Sequence, residues 1–208
     1  VVLHVMDQSK LGYQSPSEKL IQSLEQLDTL SMQIIVDASQ LRLDPKDIQN
    51  YLNKGCIVTI TGSKYFTGPP YSGALIVPKN VSQTIQDVTI KIPKGLTNYY
   101  NRTDWPIAWH CSSDLSEGFN YGSNMRWNAA IVEMDRYYKT PVLYRNMGIE
   151  MFCNFIEDSI KEATFLQPIY GDETKTKSFD STEFGIRNIR TIFPFFILKN
   201  GEALSDTQ

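Results

Sequence analysis

Three short stretches of the chain hold side chains whose types and spacing suit chemistry at a carbonyl. Lys64 lies in Thr61-Gly62-Ser63-Lys64-Tyr65-Phe66-Thr67-Gly68-Pro69-Pro70, a turn-rich run between the apolar segments Ile57–Ile60 and Ala74–Val77. An amine on a turn between two buried strands is expected to shed part of its hydration, which makes it a nucleophile toward a carbonyl carbon. Asp37 closes a second apolar run, Ile34-Ile35-Val36, with Gln40 three residues later. His4-Val5-Met6-Asp7-Gln8-Ser9 follows a third, at the start of the chain. Taken singly, each has a plainer reading. A lysine in a Gly-rich turn is ordinarily solvated, an aspartate caps turns, and Thr61, Ser63 and Ser9 are common turn hydroxyls. Read together, they put an amine and a carboxylate at the ends of neighbouring strands.

The elements that must position these groups follow from pattern. Val1–Val5 reads as a buried strand with a polar loop, Asp7–Tyr13, at its end. Ser15-Pro16-Ser17-Glu18 predicts a helix start with Ser15 as the cap, and Leu20, Ile21, Leu24 and Leu27 fall on one helical face. A strand over Gln33–Asp37 comes next. Asp44-Pro45-Lys46-Asp47 opens a second helix, with Ile48, Tyr51 and Leu52 inward and Gly55 at its stop. Strands at Ile57–Ile60 and Ala74–Val77 complete an alternating strand–helix series. That series predicts an α/β fold, a mostly parallel sheet covered by helices on both faces. Ligands of such sheets bind beyond the carboxyl ends of the strands, where His4–Ser9, Asp37–Gln40 and Thr61–Lys64 all lie.

Beyond Pro78 the pattern changes. Val88–Ile92 alternates like a strand, and Leu96–Gly122 is irregular and rich in aromatics, with Tyr99–Trp109 read as packing or a subunit contact. Helices are expected from Ser123 or Asn124 to Tyr138 and from Val142 to Ala163, then an exposed loop over Gly171–Ser181. Ile189–Leu198, interrupted by Pro194, suits an edge strand of a second sheet. The expected organisation is therefore a first domain over residues 1–94, a connection over 95–122 and a smaller α+β domain over 123–208. The chain begins inside an apolar strand without Met and is read as a piece of a longer protein.

Composition narrows the function classes. The formal net charge is −3, so no basic field points to nucleic acid or an anionic membrane surface. No apolar stretch is long enough to span a bilayer, and the start lacks a secretory signal pattern. Cys56, Cys111 and Cys153 are scattered and without metal-ligand spacing, so no metal site is expected and a reducing, cytoplasmic setting is favoured. Gly62-Ser63-Lys64 lacks the earlier glycine spacing of a nucleotide-binding P-loop.

Asp37-Ala38-Ser39-Gln40 followed by Thr61-Gly62-Ser63-Lys64 and a Gly-Pro turn resembles the core signature of fold-type I pyridoxal-phosphate enzymes, nearest the class V aminotransferase and cysteine desulfurase group. An amine paired with a carboxylate is also what that cofactor demands. The resemblance covers about residues 1–78. It implies that Lys64 forms the aldimine with pyridoxal phosphate, Asp37 pairs with the pyridinium nitrogen and Gln40 bonds the ring's phenolic oxygen. Thr61 and Ser63 would hold the phosphate, His4 would position the ring and Ser9 would touch cofactor or substrate. It places the family's phosphate-cradling loop and ring-stacking residue upstream of Val1. Asn124–Ala130 resembles the helix that begins the family's small domain. Arg190 is a loose candidate for the substrate carboxylate, and Arg126 is read as solvated or structural. Cys111 does not fit the mobile nucleophile of a desulfurase. The implied function is transamination of an amino acid or related amine by a homodimer. Decarboxylation or elimination is the first alternative, and a non-catalytic binding module of the same fold the second.

Overall fold

A computed structural model describes residues 1–9, 11–25, 32–169 and 190–204. The first half is a four-stranded sheet in sequence order: β1 (Val2–Met6), β2 (Gln33–Asp37), β3 (Ile57–Thr61) and β4 (Gly73–Ile76). The first three strands are parallel, whereas β4 returns antiparallel along β3 with Thr61 opposite Gly73. The architecture is thus α/β with a mixed, mostly parallel sheet. Helix α1 (Glu18–Glu25) joins β1 to β2, and α2 (Pro45–Asn53) joins β2 to β3.

The core lies on one side of this sheet. Val5, Ile34, Val36 and Val58 alternate onto that side and are buried with Ala38, Leu43 and Cys56. Ile21 of α1 and Ile48, Tyr51 and Leu52 of α2 pack on the same cluster. Both connecting helices therefore cover one face, where the sequence pattern predicted cover on two. The opposite face mixes Ile35 and buried Ile57 with His4, Gln33, Asp37, Thr59 and Thr61, and these polar alternates leave a helix less to bury. Val2, His4 and Met6 are exposed there, and Asp37, Thr59 and Thr61 are half-buried.

The start of α1 differs from expectation. Ser15 pairs with Met6 through mutual backbone hydrogen bonds, and Ser17 Oγ accepts from the Leu20 N–H at 3.4 Å. Ser17, not Ser15, is thus the cap. At α2 the predicted signals hold: the Asp44 N–H donates to Asp47 Oδ2 at 3.1 Å, and Gly55 ends the helix at φ +78°.

Helix α3 (Lys79–Gln86) occupies a segment with no helix expectation, and Val88–Ile92 forms no strand. No described strand lies beside it to pair with. Ile92 alone is buried, its N–H donating to Asp114 Oδ2 at 3.3 Å. Residues 96–114 contain three short 3-10 turns (Leu96–Asn98, Arg102–Asp104, His110–Asp114) pinned by Trp109, whose Nε1 donates to Ser82 Oγ at 2.9 Å.

Two long helices follow, α4 (Tyr121–Lys139) and α5 (Val142–Glu162), close to their predicted spans. A small antiparallel sheet then forms from β5 (Leu166–Pro168), β6 (Phe195–Lys199) and β7 (Glu202–Ala203). Strand β6 is its centre, paired on both sides, rather than the predicted edge; Pro194 precedes the strand, so the missing N–H interrupts no ladder. The loop expected over Gly171–Ser181, Leu27 of the first predicted helix and Ile189 lie outside the described residues. No described helix is long and apolar enough to cross a membrane.

Candidate cofactor-binding site

Strands β2 and β3 run side by side in the same direction, so their carboxyl ends are neighbours and Asp37 stands opposite Thr59. Pleating puts Asp37, Thr59 and Thr61 on the open sheet face. His4 shares that face, registered with Ile35 two residues before Asp37. Each β-strand end is thus a fixed platform for one polar side chain.

Asp37 is held asymmetrically. Its Oδ1 accepts from the Ser39 N–H at 3.0 Å, from the Ser39 hydroxyl, and from Thr59 Oγ1 at 3.4 Å. Its Oδ2 has no hydrogen-bond partner among the described residues. Burial pushes the Asp37 carboxyl up, but the Ser39 hydroxyl and N–H, the Lys64 charge and Thr59 outweigh it and hold the group below its ordinary range. The carboxylate is therefore ionised at neutral pH, with one oxygen anchored and one open.

Lys64 joins this network from the next loop. Its Nζ donates to Ser39 Oγ at 3.0 Å, giving a continuous chain from Lys64 through Ser39 to Asp37. Lys64 is exposed, whereas the sequence led us to expect a partly desolvated amine. The open sheet face explains the difference. Thr61 Oγ1 donates to the Ser39 carbonyl at 2.8 Å, which staples the end of β3 to the turn after β2. Its single proton is thereby committed to the backbone.

The other predicted residues separate. Gln40 and Ser63 are half-buried and make no side-chain hydrogen bond among the described residues, and exposed His4 makes none either. Ser9 faces its own loop, accepting from Leu11 and Tyr13 N–H groups at 3.2 and 3.1 Å. Arg190 lies 3.6 Å from Glu157, and Arg126 stacks over the Tyr71 ring at 5.9 Å.

The two loops bearing Asp37 and Lys64 are strained. Leu41 (φ +50°), Thr67 (+54°) and Tyr71 (+64°) all sit in the left-handed region, which side chains, and β-branched ones above all, avoid. Among the described non-glycine residues only Asn200 joins them, at the β6–β7 turn. Such conformations persist only where the surroundings over-determine them, and they gather at functional sites.

Helix α4 supplies much of that constraint. Ala130 is fully buried against the Lys64 loop, so close that a Cβ on Gly62 would lie 2.4 Å from the Ala130 Cβ. A Cβ on Gly68 would lie 2.6 Å from both the Ala130 Cβ and the Gly62 carbonyl. Trp127 Nε1 donates to the Gly73 carbonyl at 3.2 Å, and buried Phe66 meets Tyr137 edge-on at 5.3 Å. From the Asp37 side, Arg42 Nη1 donates to the carbonyl of Thr191 at 2.6 Å and to its hydroxyl. The same guanidinium lies 5.7 Å from the centre of the Tyr65 ring. Burial, then the hydrogen bond with Tyr137, pushes the Tyr65 hydroxyl well above its ordinary range.

Sequence reasoning missed Ser39, Thr59, Arg42 and Ala130. For Thr59 a signal was available, since Thr59 and Thr61 are the polar alternates of an otherwise apolar strand. Ala130 had none; only the tertiary approach of α4 reveals it. Searches of protein-family models, curated proteins and solved structures return no match to this chain.

Proposed function

We propose that the chain carries catalytic residues of a pyridoxal-phosphate-dependent aminotransferase acting on an amino acid or related amine. The observation that carries this reading is the network Lys64–Ser39–Asp37, with an ionised carboxylate anchored through Oδ1 and open at Oδ2. That donor set suits the group: an amine for its aldehyde, a carboxylate for its ring N–H, and an amide at Gln40 for its phenolic oxygen. Ser63, with its hydroxyl uncommitted, is the better of the two predicted phosphate donors, because Thr61 is engaged with Ser39. His4 extends the polar face beneath.

When bound, pyridoxal phosphate supplies an electron sink for the pair left on the substrate α-carbon. The chain's residues do the rest. Asp37, ionised and open at Oδ2, would hold a proton on the ring nitrogen. Lys64 would hold the cofactor's aldehyde and, once free, would serve as base and acid toward the substrate α-carbon. A second copy of the chain is the partner this reading implies. Exposed Tyr144, Met147, Met151 and Phe155, at helical spacing along α5, offer apolar surface for it.

The test is covalent capture. The protein is incubated with pyridoxal phosphate, reduced with borohydride and mapped by mass spectrometry. A phosphopyridoxyl adduct on Lys64, lost in Lys64→Ala together with the visible absorbance band, is the expected result. No adduct on the unaltered chain, or a band that survives Lys64→Ala, overturns the proposal and leaves a non-catalytic binding module.

A further inference from the structure

Among the described residues, Ser39 is the one side chain bonded to both Lys64 and Asp37. A serine hydroxyl has one proton and two lone pairs. Here the proton goes to the Asp37 carboxylate, which can only accept, and a lone pair receives the Lys64 N–H. The polarity of the chain is therefore fixed. Negative charge on Asp37 is passed through an oriented hydroxyl to the ammonium group, although Lys64 and Asp37 make no direct ion pair. The Ser39 backbone beneath that hydroxyl is held as well, its N–H bonded to Asp37 Oδ1 and its carbonyl accepting from Thr61. Arg42, three residues on, is tied to Thr191 and fixes the far end of the same turn.

We propose that Ser39 is a positioning residue that parks Lys64 in a resting state, held by Asp37 through its hydroxyl. An amine attacks a carbonyl only when its lone pair faces outward. The tether opposes this by keeping the nitrogen turned toward Ser39 Oγ. A ligand that brings a cationic N–H to Asp37 Oδ2 draws on the same carboxylate charge, loosens the tether and frees the amine. Lys64 would then be slow toward aldehydes or acylating agents in general and faster toward one that also occupies Asp37. This inference rests on the pyridoxal-phosphate reading for its purpose, but the tether itself does not.

The test is competitive acylation with limiting acetic anhydride, with Lys46 and Lys94 of the same molecules as internal references. Removing one exposed hydrogen bond in Ser39→Ala should raise Lys64 labelling about threefold relative to those references. Ser39→Thr, which keeps the hydroxyl, should stay near the unaltered chain. Asp37→Asn removes the charge at the far end and should raise labelling even with Ser39 in place. Unchanged or slower labelling of Lys64 in both Ser39→Ala and Asp37→Asn overturns the proposal. Pyridoxal-phosphate capture is then measured on the same proteins. Faster acylation without any cofactor capture by the unaltered chain supports the tether while refuting the cofactor reading.

Discussion

Replacing Gly62 with alanine would set a methyl carbon 2.4 Å from the Ala130 Cβ and 3.2 Å from Ser72 Oγ. Carbon atoms in contact settle at about 3.5–4.0 Å, so α4 and the loop would have to part by roughly 1.1 Å or more. Neither side yields readily. Ala130 sits within a 19-residue helix, while the Gly62 N–H donates to the Ser72 carbonyl and its carbonyl accepts from Gly68. Overpacking of this kind costs about 1–3 kcal/mol. For a chain of this size that corresponds to a fall in melting temperature of about 2–4 °C per kcal/mol. Ala130→Gly provides the check, because it removes the atom that Gly62→Ala strikes. Alone it costs about 1 kcal/mol of helix propensity. Combined with Gly62→Ala it should be about as stable as Ala130→Gly alone, a favourable coupling of about 1–3 kcal/mol. Gly68→Ala should not be rescued, since its methyl would still meet the Gly62 carbonyl at 2.6 Å. Urea and thermal unfolding of the four proteins in the cycle, with Gly68→Ala and its double mutant, measure this. Additive losses for Gly62→Ala and Ala130→Gly, or equal rescue of Gly68→Ala, would refute the close approach of α4.

Three further outcomes follow from the same geometry. Asn120 Oδ1 accepts from the Ser123 N–H at 3.0 Å at the start of α4, so Asn120→Ala should cost about 1 kcal/mol in urea unfolding. The Tyr138 hydroxyl is pushed up to about 12, by burial first and then by the nearby negative charge of Asp44. Its folded value lies above the unfolded value near 10, so its contribution is complete below about pH 10 and is lost as pH rises toward 12. Stability should fall over that interval, less steeply in Tyr138→Phe, as alkaline unfolding followed by circular dichroism will record. Arg42→Met keeps the stem but removes both bonds to Thr191; under the proposed function it should slow Lys64 capture of pyridoxal phosphate at temperatures where the variant remains folded. Equal slowing by Thr191→Ala would agree, and an unaffected capture rate in both would count against a role for this anchor.

Strands β1 to β3 could be read from the sequence because their short apolar runs are local, and α2 because Asp44-Pro45 and Gly55 carry their own capping chemistry. Asp37 stood out because it directly follows an apolar run, and Lys64 because it lies in the turn between two such runs. The rest depended on partners far along the chain. Val88–Ile92 alternates strictly, yet with no described strand beside it only Ile92 found a place to bury. β6 looked like an edge because of Pro194, but the strand starts one residue later and is paired on both sides. Gly62 and Gly68 looked like turn residues; their lack of a side chain is needed for a helix beginning some fifty residues downstream. Ser39 looked like filler between Asp37 and Gln40 until Lys64 was placed beside it.

The bond from Arg42 to Thr191 spans 149 residues. Chains are synthesised from the amino end at about 5–20 residues per second, and early segments begin to fold before later ones exist. The β1–β4 sheet can therefore pair seconds before Thr191 has been made. During that interval the turn carrying Ser39, Gln40 and the left-handed Leu41 lacks its distant anchor. The order of synthesis thus makes the sheet first and the settled turn last, so that a nascent chain holds Lys64 and Asp37 before the turn between them is anchored.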